Sequence, residues 1–382
     1  MKFFIKELSQ APYTIDNLET ILTPRLVVFE DRLDDNIQRM SQLLAKAGTG
    51  YTLDSLMPHA KTHKSIWVTR KLINAGIANF KASPNEVEML LAAGAKSIFV
   101  AYPLLKNQAL RLAELADQYR DIMFFVQASN TILMEWLMAA ARQYDIRWHY
   151  FIDVDVGMGR TGIAPDDVQD FYNHVPQSEY LQFAGIHAYD GHNQSAHPGE
   201  REQESQRSMS HVIRIVSEME KVCFSIPRIV VGGTPSFLFD LEVLAKARLD
   251  CEIILSPGTW IYFDTKSQAM MPDTFQVAAM VIAQIIDLPG NGTATLNVGH
   301  KRIAIDQGPV DYLSIAGARP VQCSEEHTVI ALTAGQRVCI GDYVLLSPRH
   351  VCSTVNLWDS FIVINADGKI KMRHCPVDAR NK

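Results

Sequence analysis

The chain of 382 residues has no apolar run near the roughly 18 residues that a membrane-spanning helix requires. Its opening "MKFFIKELSQ" holds a three-residue apolar run, too short for the core of a secretory leader, so neither leader nor anchor is expected. The six cysteines stand apart with no Cys-x-x-Cys pair. That argues against a disulfide framework or a zinc knuckle and predicts a reduced, cytoplasmic setting. Excess charge is missing too: a net charge of −6 gives no electrostatic reason to expect nucleic acid or an anionic membrane as partner. What is present is an ordinary globular balance, 47% hydrophobic against 20% charged, which excludes a disordered chain. At this length two domains are expected, because single cores stop growing at roughly 250–300 residues.

Between residues 53 and 258 one pattern repeats. The runs "SLM", "ANFKA", "SIFVAY", "IMFFVQ", "WHYFIDVDV", "LQFAGIHAY", "RIVVGG" and "EIILSPG" alternate with amphipathic helical stretches. One helix start is explicit: Ser83-Pro84-Asn85-Glu86 joins an N-cap, a proline at the first helical position and a capping-box glutamate, with Gly94 as the stop. Apolar runs feeding helices predict parallel strands buried on both faces. Eight of them in this length predict an α/β fold, a (β/α)8 TIM barrel over residues 23–265. An open doubly wound sheet is the alternative. Beyond Phe263 the texture changes to "FQVAAMVIAQIID", "ATLNVG", "RIAID", "HTVIALT", "RVCIGDYVLLSP" and "SFIVINADGKI". These runs, punctuated by Gly, Asn and Pro, predict a β-rich antiparallel domain built from residues 266–382 with 1–22.

In a parallel barrel functional side chains gather at the C-terminal strand ends. The first run delivers His59 and Lys61 within "MPHAKTHKS"; the fifth delivers Asp153 through Arg160; the sixth delivers His187, Tyr189, Asp190 and His192. The seventh ends in "GGTPS", with Gly232, Gly233, Thr234 and Ser236, and the eighth in "SPGTW", with Gly258 and Thr259. Glycines with following hydroxyls let backbone N–H groups close around a phosphate. Either stretch alone is an ordinary turn; as neighbours they predict an anion cup. A phosphate cup facing a strand-end lysine points to pyridoxal 5'-phosphate, an aldehyde that a lysine can hold as an imine. Lysines near strand ends are usually solvated surface charges, and Lys64 is read that way.

"LVVFEDRLDDNIQRM" followed by "MPHAKTHKS" resembles the N-terminal segment of the fold type III, alanine racemase-like enzymes, on the branch of the D-threonine aldolases and D-serine dehydratases. "DVDVGMGRTGI", "GIHAYDGHNQ", "PGTWIYFD" and "HVCSTVNLWD" extend the resemblance to most of the chain. The resemblance implies that Lys61 carries the cofactor and that Arg160 lies against its ring nitrogen. It also implies a divalent metal, zinc or manganese, at His350 and Cys352, two residues apart and so on one side of an extended strand. A buried cysteine is more often a plain small hydrophobe. The aldolases often carry a carboxylate where Cys352 stands, whereas the dehydratases use cysteine. "HAYDG" is closer to the aldolases' version, yet Asp190 replaces their histidine. His192 could serve as the base instead, or be a surface histidine; His327, in "EEH", is either near substrate or part of a charged turn.

The activity implied is that of a lyase on D-configured 3-hydroxy amino acids, splitting them to glycine and an aldehyde. The alternative is dehydration of D-serine or 3-hydroxyaspartate with release of ammonia. A racemase is disfavoured because no segment matches the family's tyrosine motif, and a non-catalytic carrier because the β domain is kept. A homodimer acting on a small amino acid is the expected assembly.

Overall fold

Strand runs that are apolar at every position must be covered on both faces, and the chain meets this with helices. The computed structural model describes residues 1–8, 11–48, 50–310 and 312–380. It divides into two units: an α/β unit of residues 41–61 with 69–258, and a β-rich unit of residues 1–40, 62–68 and 259–382.

The α/β unit holds seven parallel strands among its described residues, each hydrogen-bonded to the next in chain order. They are β1 (Asn79–Ala82), β2 (Ser97–Val100), β3 (Met123–Ala128), β4 (Trp148–Asp153), β5 (Leu181–Ala188), β6 (Arg228–Val231) and β7 (Glu252–Leu255). The cap written at Ser83 is formed: the Glu86 carboxylate accepts from the Ser83 N–H at 2.8 Å and from its hydroxyl at 2.6 Å. Gly94, at φ 94°, closes that helix by donating to the carbonyls of Leu90 and Leu91. The eighth expected strand, at "SLM", is not formed. A short turn occupies Leu53–Ser55 and Pro58 lacks an N–H, so the segment keeps only isolated parallel bridges, Leu56 to Leu255 and His59 to Lys81.

Met57, Phe99, Phe125, Phe151, Ala184, Val230 and Ile254 form an apolar layer inside this sheet. Burying each such phenylalanine contributes about 1.5–3 kcal/mol. Strand alternation carries the same inward face two residues on, to Gln127 and Asp153. On β5 the register slips: Tyr150 faces Phe183 but Phe151 faces Gly185. Gly185 sits at φ 138°, and a Cβ there would lie 1.9 Å from the Arg228 carbonyl oxygen, so only glycine fits. Beyond the slip, His187 pairs directly with Asp153. The bulge thus aims a histidine at a carboxylate.

The β-rich unit is built on the long strand Ala279–Gly290, antiparallel to Thr293–Leu296, Tyr343–Ser347 and Arg25–Phe29. It is not purely antiparallel, since Arg25–Phe29 also runs parallel to Ser360–Ile364. Leu26, Val27 and Val28 are fully buried, so this strand needs a partner on each edge. That need moves residues 25–40 into the β-rich unit, across the boundary expected at residue 23. "RIAID" is not a strand, and Asp306 makes only an isolated bridge to Gly308. Lys64 is not solvated: it is buried, and its amine donates to the Ala379 carbonyl at 3.4 Å.

Candidate active site

In the α/β unit the residues after the strand ends converge. Lys61 is exposed, its backbone N–H donates to His59 Nδ1 at 3.2 Å, and among the described residues its amine has no polar partner. A second lysine, Lys81 on β1, is 4% exposed. Its Nζ lies 2.9 Å from His187 Nε2 and 3.0 Å from Ser256 Oγ. On the far side of the ring, His187 Nδ1 lies 2.7 Å from Asp153 Oδ1, and Gln127 Nε2 donates to Asp153 Oδ2 at 2.6 Å. A carboxylate can only accept, so His187 carries its proton on Nδ1 and offers the Nε2 lone pair to Lys81.

Burial, helped by the nearby Lys81 charge, lowers His187 to about 4 against the hold of Asp153. Burial likewise lowers Lys81 to about 7, with Lys61 and Arg160 adding like-charge repulsion and Asp153 and Asp190 opposing it. Lys81 Nζ lies 4.9 Å and the Arg160 guanidinium 5.4 Å from the centre of the Tyr189 ring. Gly191 makes room for that ring, because a Cβ there would lie 2.3 Å from Tyr189 Cε1.

The "GGTPS" turn follows β6. The Gly233 N–H and the Ser236 hydroxyl both donate to Asp190 Oδ1, at 3.2 and 2.9 Å. Thr234 is buried and Gly258 half-buried. Asp190 Oδ2 and both Asp240 carboxyl oxygens are buried and, among the described residues, lack a partner at ordinary hydrogen-bond distance, although Ser205 and Ser236 face Asp240. Burial raises Asp190 and, with the Asp190 charge, raises Asp240 well above the usual carboxylate range. His192 Nε2 is paired with Glu204 at 3.0 Å, and its buried Nδ1 has no hydrogen-bond partner among the described residues.

In the β-rich unit the proposed metal pair does not lie on a strand. His350 caps the short helix Val351–Val355, whose first turn contains Cys352. The two side chains still meet: Cys352 and Asp306 together push His350 up to about 9. Asp306 Oδ2 accepts from His350 Nδ1 at 2.6 Å and from the Ser353 hydroxyl at 3.1 Å. Thr62 Oγ1 and Thr259 Oγ1 lie 3.2 and 3.9 Å from Cys352 Sγ. His327 stands exposed in a turn whose Glu325 and Glu326 pair with Lys301, the arrangement of a charged turn.

Sequence reasoning missed Lys81, Asp153 as the carboxylate behind His187, and Asp306. An ionisable residue inside the apolar run "ANFKA" was a usable signal for Lys81. For Asp306 there was none, because the partnership with His350 spans 44 residues.

The residues fit a phosphorylated aldehyde: an unpaired exposed lysine, and a glycine turn whose N–H and hydroxyl already hold a carboxylate oxygen. They also fit a divalent metal, through an imidazole oriented by a carboxylate next to a thiol. Among the described residues no cluster of three or more His, Cys, Asp or Glu is arranged around a metal position, so the pair would share the ion with water or substrate oxygens.

Two domain families match the chain: the alanine racemase N-terminal domain over residues 28–266 and a putative serine dehydratase domain over residues 278–364. The D-threo-3-hydroxyaspartate dehydratase of Delftia sp. (strain HT23) is 24% identical, covering 93% of this chain and 97% of that one. A D-threonine aldolase from Arthrobacter is 24% identical, covering 93% and 92%. The crystal structure of the D-threonine aldolase from Filomicrobium marinum superposes with a TM-score of 0.85 at 24% identity, covering 97% of this chain and 98% of that one.

Proposed function

Because the chain belongs to the alanine racemase-like family that includes the D-threonine aldolases and D-serine dehydratases, we propose that it is a pyridoxal phosphate- and metal-dependent lyase acting on D-configured 3-hydroxy amino acids, with aldol cleavage to glycine and an aldehyde as its reaction. The observation that carries this reading is the exposed, unpartnered amine of Lys61 in the unit that also holds the Gly233–Ser236 anion turn. We assign to the cofactor Lys61 as its covalent anchor, with His59, Arg160 and Tyr189 beside it and the turn of Gly232, Gly233, Thr234 and Ser236, together with Gly258, around its phosphate. Bound there, the cofactor supplies an electron sink for charge developing at the substrate Cα.

Lys61 takes or returns a proton at Cα once its amine is released. Tyr189 presents its ring to Lys81 and Arg160, and Arg160 adds positive charge next to it. His350 and Cys352 would hold the metal, which would supply a Lewis acid for a substrate oxygen; Asp306, by accepting from His350 Nδ1, would keep the proton there and leave Nε2 as the ligand atom. His192 and His327 are the remaining candidates for the second base; of these, His192 is already tied to Glu204, which would set its tautomer.

Dehydration of D-serine or 3-hydroxyaspartate is the second reading, and Cys352 in place of a carboxylate favours it. The protein loaded with pyridoxal phosphate and zinc or manganese is to be incubated with D-threonine, D-serine and D-3-hydroxyaspartate. Aldehyde with glycine supports cleavage; keto acid with ammonia replaces it by dehydration; neither product from any of the three removes both. Borohydride reduction should attach the cofactor to Lys61, and a label mapped to any other residue overturns the assignment.

A further inference from the structure

We propose that Lys81 is a positioning residue for the anion turn: acting through Ser256, it fixes the direction of the Gly233 N–H. The inference rests on the cofactor reading above and concerns the same site.

A lysine that is 4% exposed inside a strand is costly to bury, and a methionine of similar length would pack there without that cost. What the amine does instead is close a hydrogen-bond chain whose direction is set at every link. Gln127 and His187 both donate to Asp153, which fixes the tautomer of His187. His187 Nε2 must then accept, and Lys81 donates to it at 2.9 Å. The amine also donates to Ser256 Oγ at 3.0 Å, which turns the serine's own proton away from Lys81. That proton goes to the Gly232 carbonyl at 3.3 Å.

The Gly232 carbonyl and the Gly233 N–H belong to one planar trans peptide, so they point in opposite directions. Holding the oxygen therefore aims the N–H. Gly232 is at φ 89°, a conformation other residues avoid, and its peptide is held at the oxygen by Ser256 and at the N–H by Asp190 Oδ1 and Ser236 Oγ, so the two sides set its plane together. The Gly233 N–H in turn donates into the anion turn, to Asp190 Oδ1. Lys81 thus reaches the phosphate seat through two hydrogen bonds and one peptide plane, and need not touch a ligand itself.

The test compares pyridoxal phosphate with pyridoxal, which lacks the phosphate, in spectroscopic titrations of the full chain. Lys81→Met should lower affinity for pyridoxal phosphate by about tenfold, the loss of roughly one hydrogen bond's contribution. Affinity for pyridoxal should stay within about twofold. Ser256→Ala should give the same loss, and the double variant should lose no more than either single one, since both act through one chain. Parallel loss of both aldehydes, multiplying losses in the double variant, or an unchanged Ser256→Ala protein would each overturn the proposal. If Lys81→Met does not fold, Ser256→Ala decides alone. A wild-type protein that binds neither aldehyde refutes the cofactor reading, a distinct outcome, and takes this proposal with it.

Discussion

Replacing Lys81 by methionine should remove one limb of the protein's stability profile against pH. Burial, reinforced by Lys61, lowers this amine from 10.5 to about 7 in the folded chain. The folded protein therefore gives up a proton that the unfolded chain keeps between those two values. Above 10.5 both states are neutral at this position and nothing is lost. As the pH falls towards 7 the unfolded chain gains the proton first, so stability falls, and below 7 the full penalty is present. One proton corresponds to about 1.4 kcal/mol per pH unit. Between pH 7.5 and 9.5 the wild type should therefore gain about 2–3 kcal/mol relative to Lys81→Met. Urea unfolding of both proteins at several pH values measures that difference directly. Cysteines and tyrosines that titrate at alkaline pH are common to both chains and cancel. A difference that stays flat across this range would mean that Lys81 keeps its proton when folded, held by His187 and the Tyr189 ring, and the reasoning about its burial would fail.

Asp306→Asn, which removes the carboxylate behind His350 Nδ1, should weaken zinc binding by about 10–100-fold in a competition titration with a chromogenic chelator; equal affinity would show that Asp306 does not orient the ligand. Gly191→Ala drives a methyl group to 2.3 Å from the Tyr189 ring. The ring has to move, so pyridoxal phosphate affinity should drop while far-ultraviolet circular dichroism stays unchanged. Burial and the neighbouring Asp190 charge raise the folded pKa of Asp240 above the unfolded value, against Ser205 and Ser236, so the wild type loses stability as pH rises through the folded value. Asp240→Asn cannot ionise, and its melting temperature relative to wild type should climb from pH 4 to pH 8; a constant offset would refute the assignment.

The parts of this protein that were legible in its sequence are those written in neighbouring residues. Alternating apolar runs and helices announced a parallel sheet, Ser83 to Glu86 announced a helix start, and Gly94 its end, because capping is a contact between residues a few positions apart. The lysine of "MPHAKTHKS" and the turn of "GGTPS" stand out in the sequence for the same reason, since each candidate group lies with its neighbours on one short loop. Tertiary structure decided what depends on distant partners. Lys64 reads as a surface charge until Ala379 meets it, and Asp306 reads as a strand end until His350 does. Arg25–Phe29 reads as a strand within the span expected for the barrel, but both of its edges are claimed by strands from the far end of the chain. A one-residue slip opposite Phe151 put His187 against Asp153, and with them a lysine whose partners, His187 and Ser256, no local pattern could disclose. Local sequence fixes which groups exist and which way the backbone turns; only the packed sheet fixes which of them share a proton.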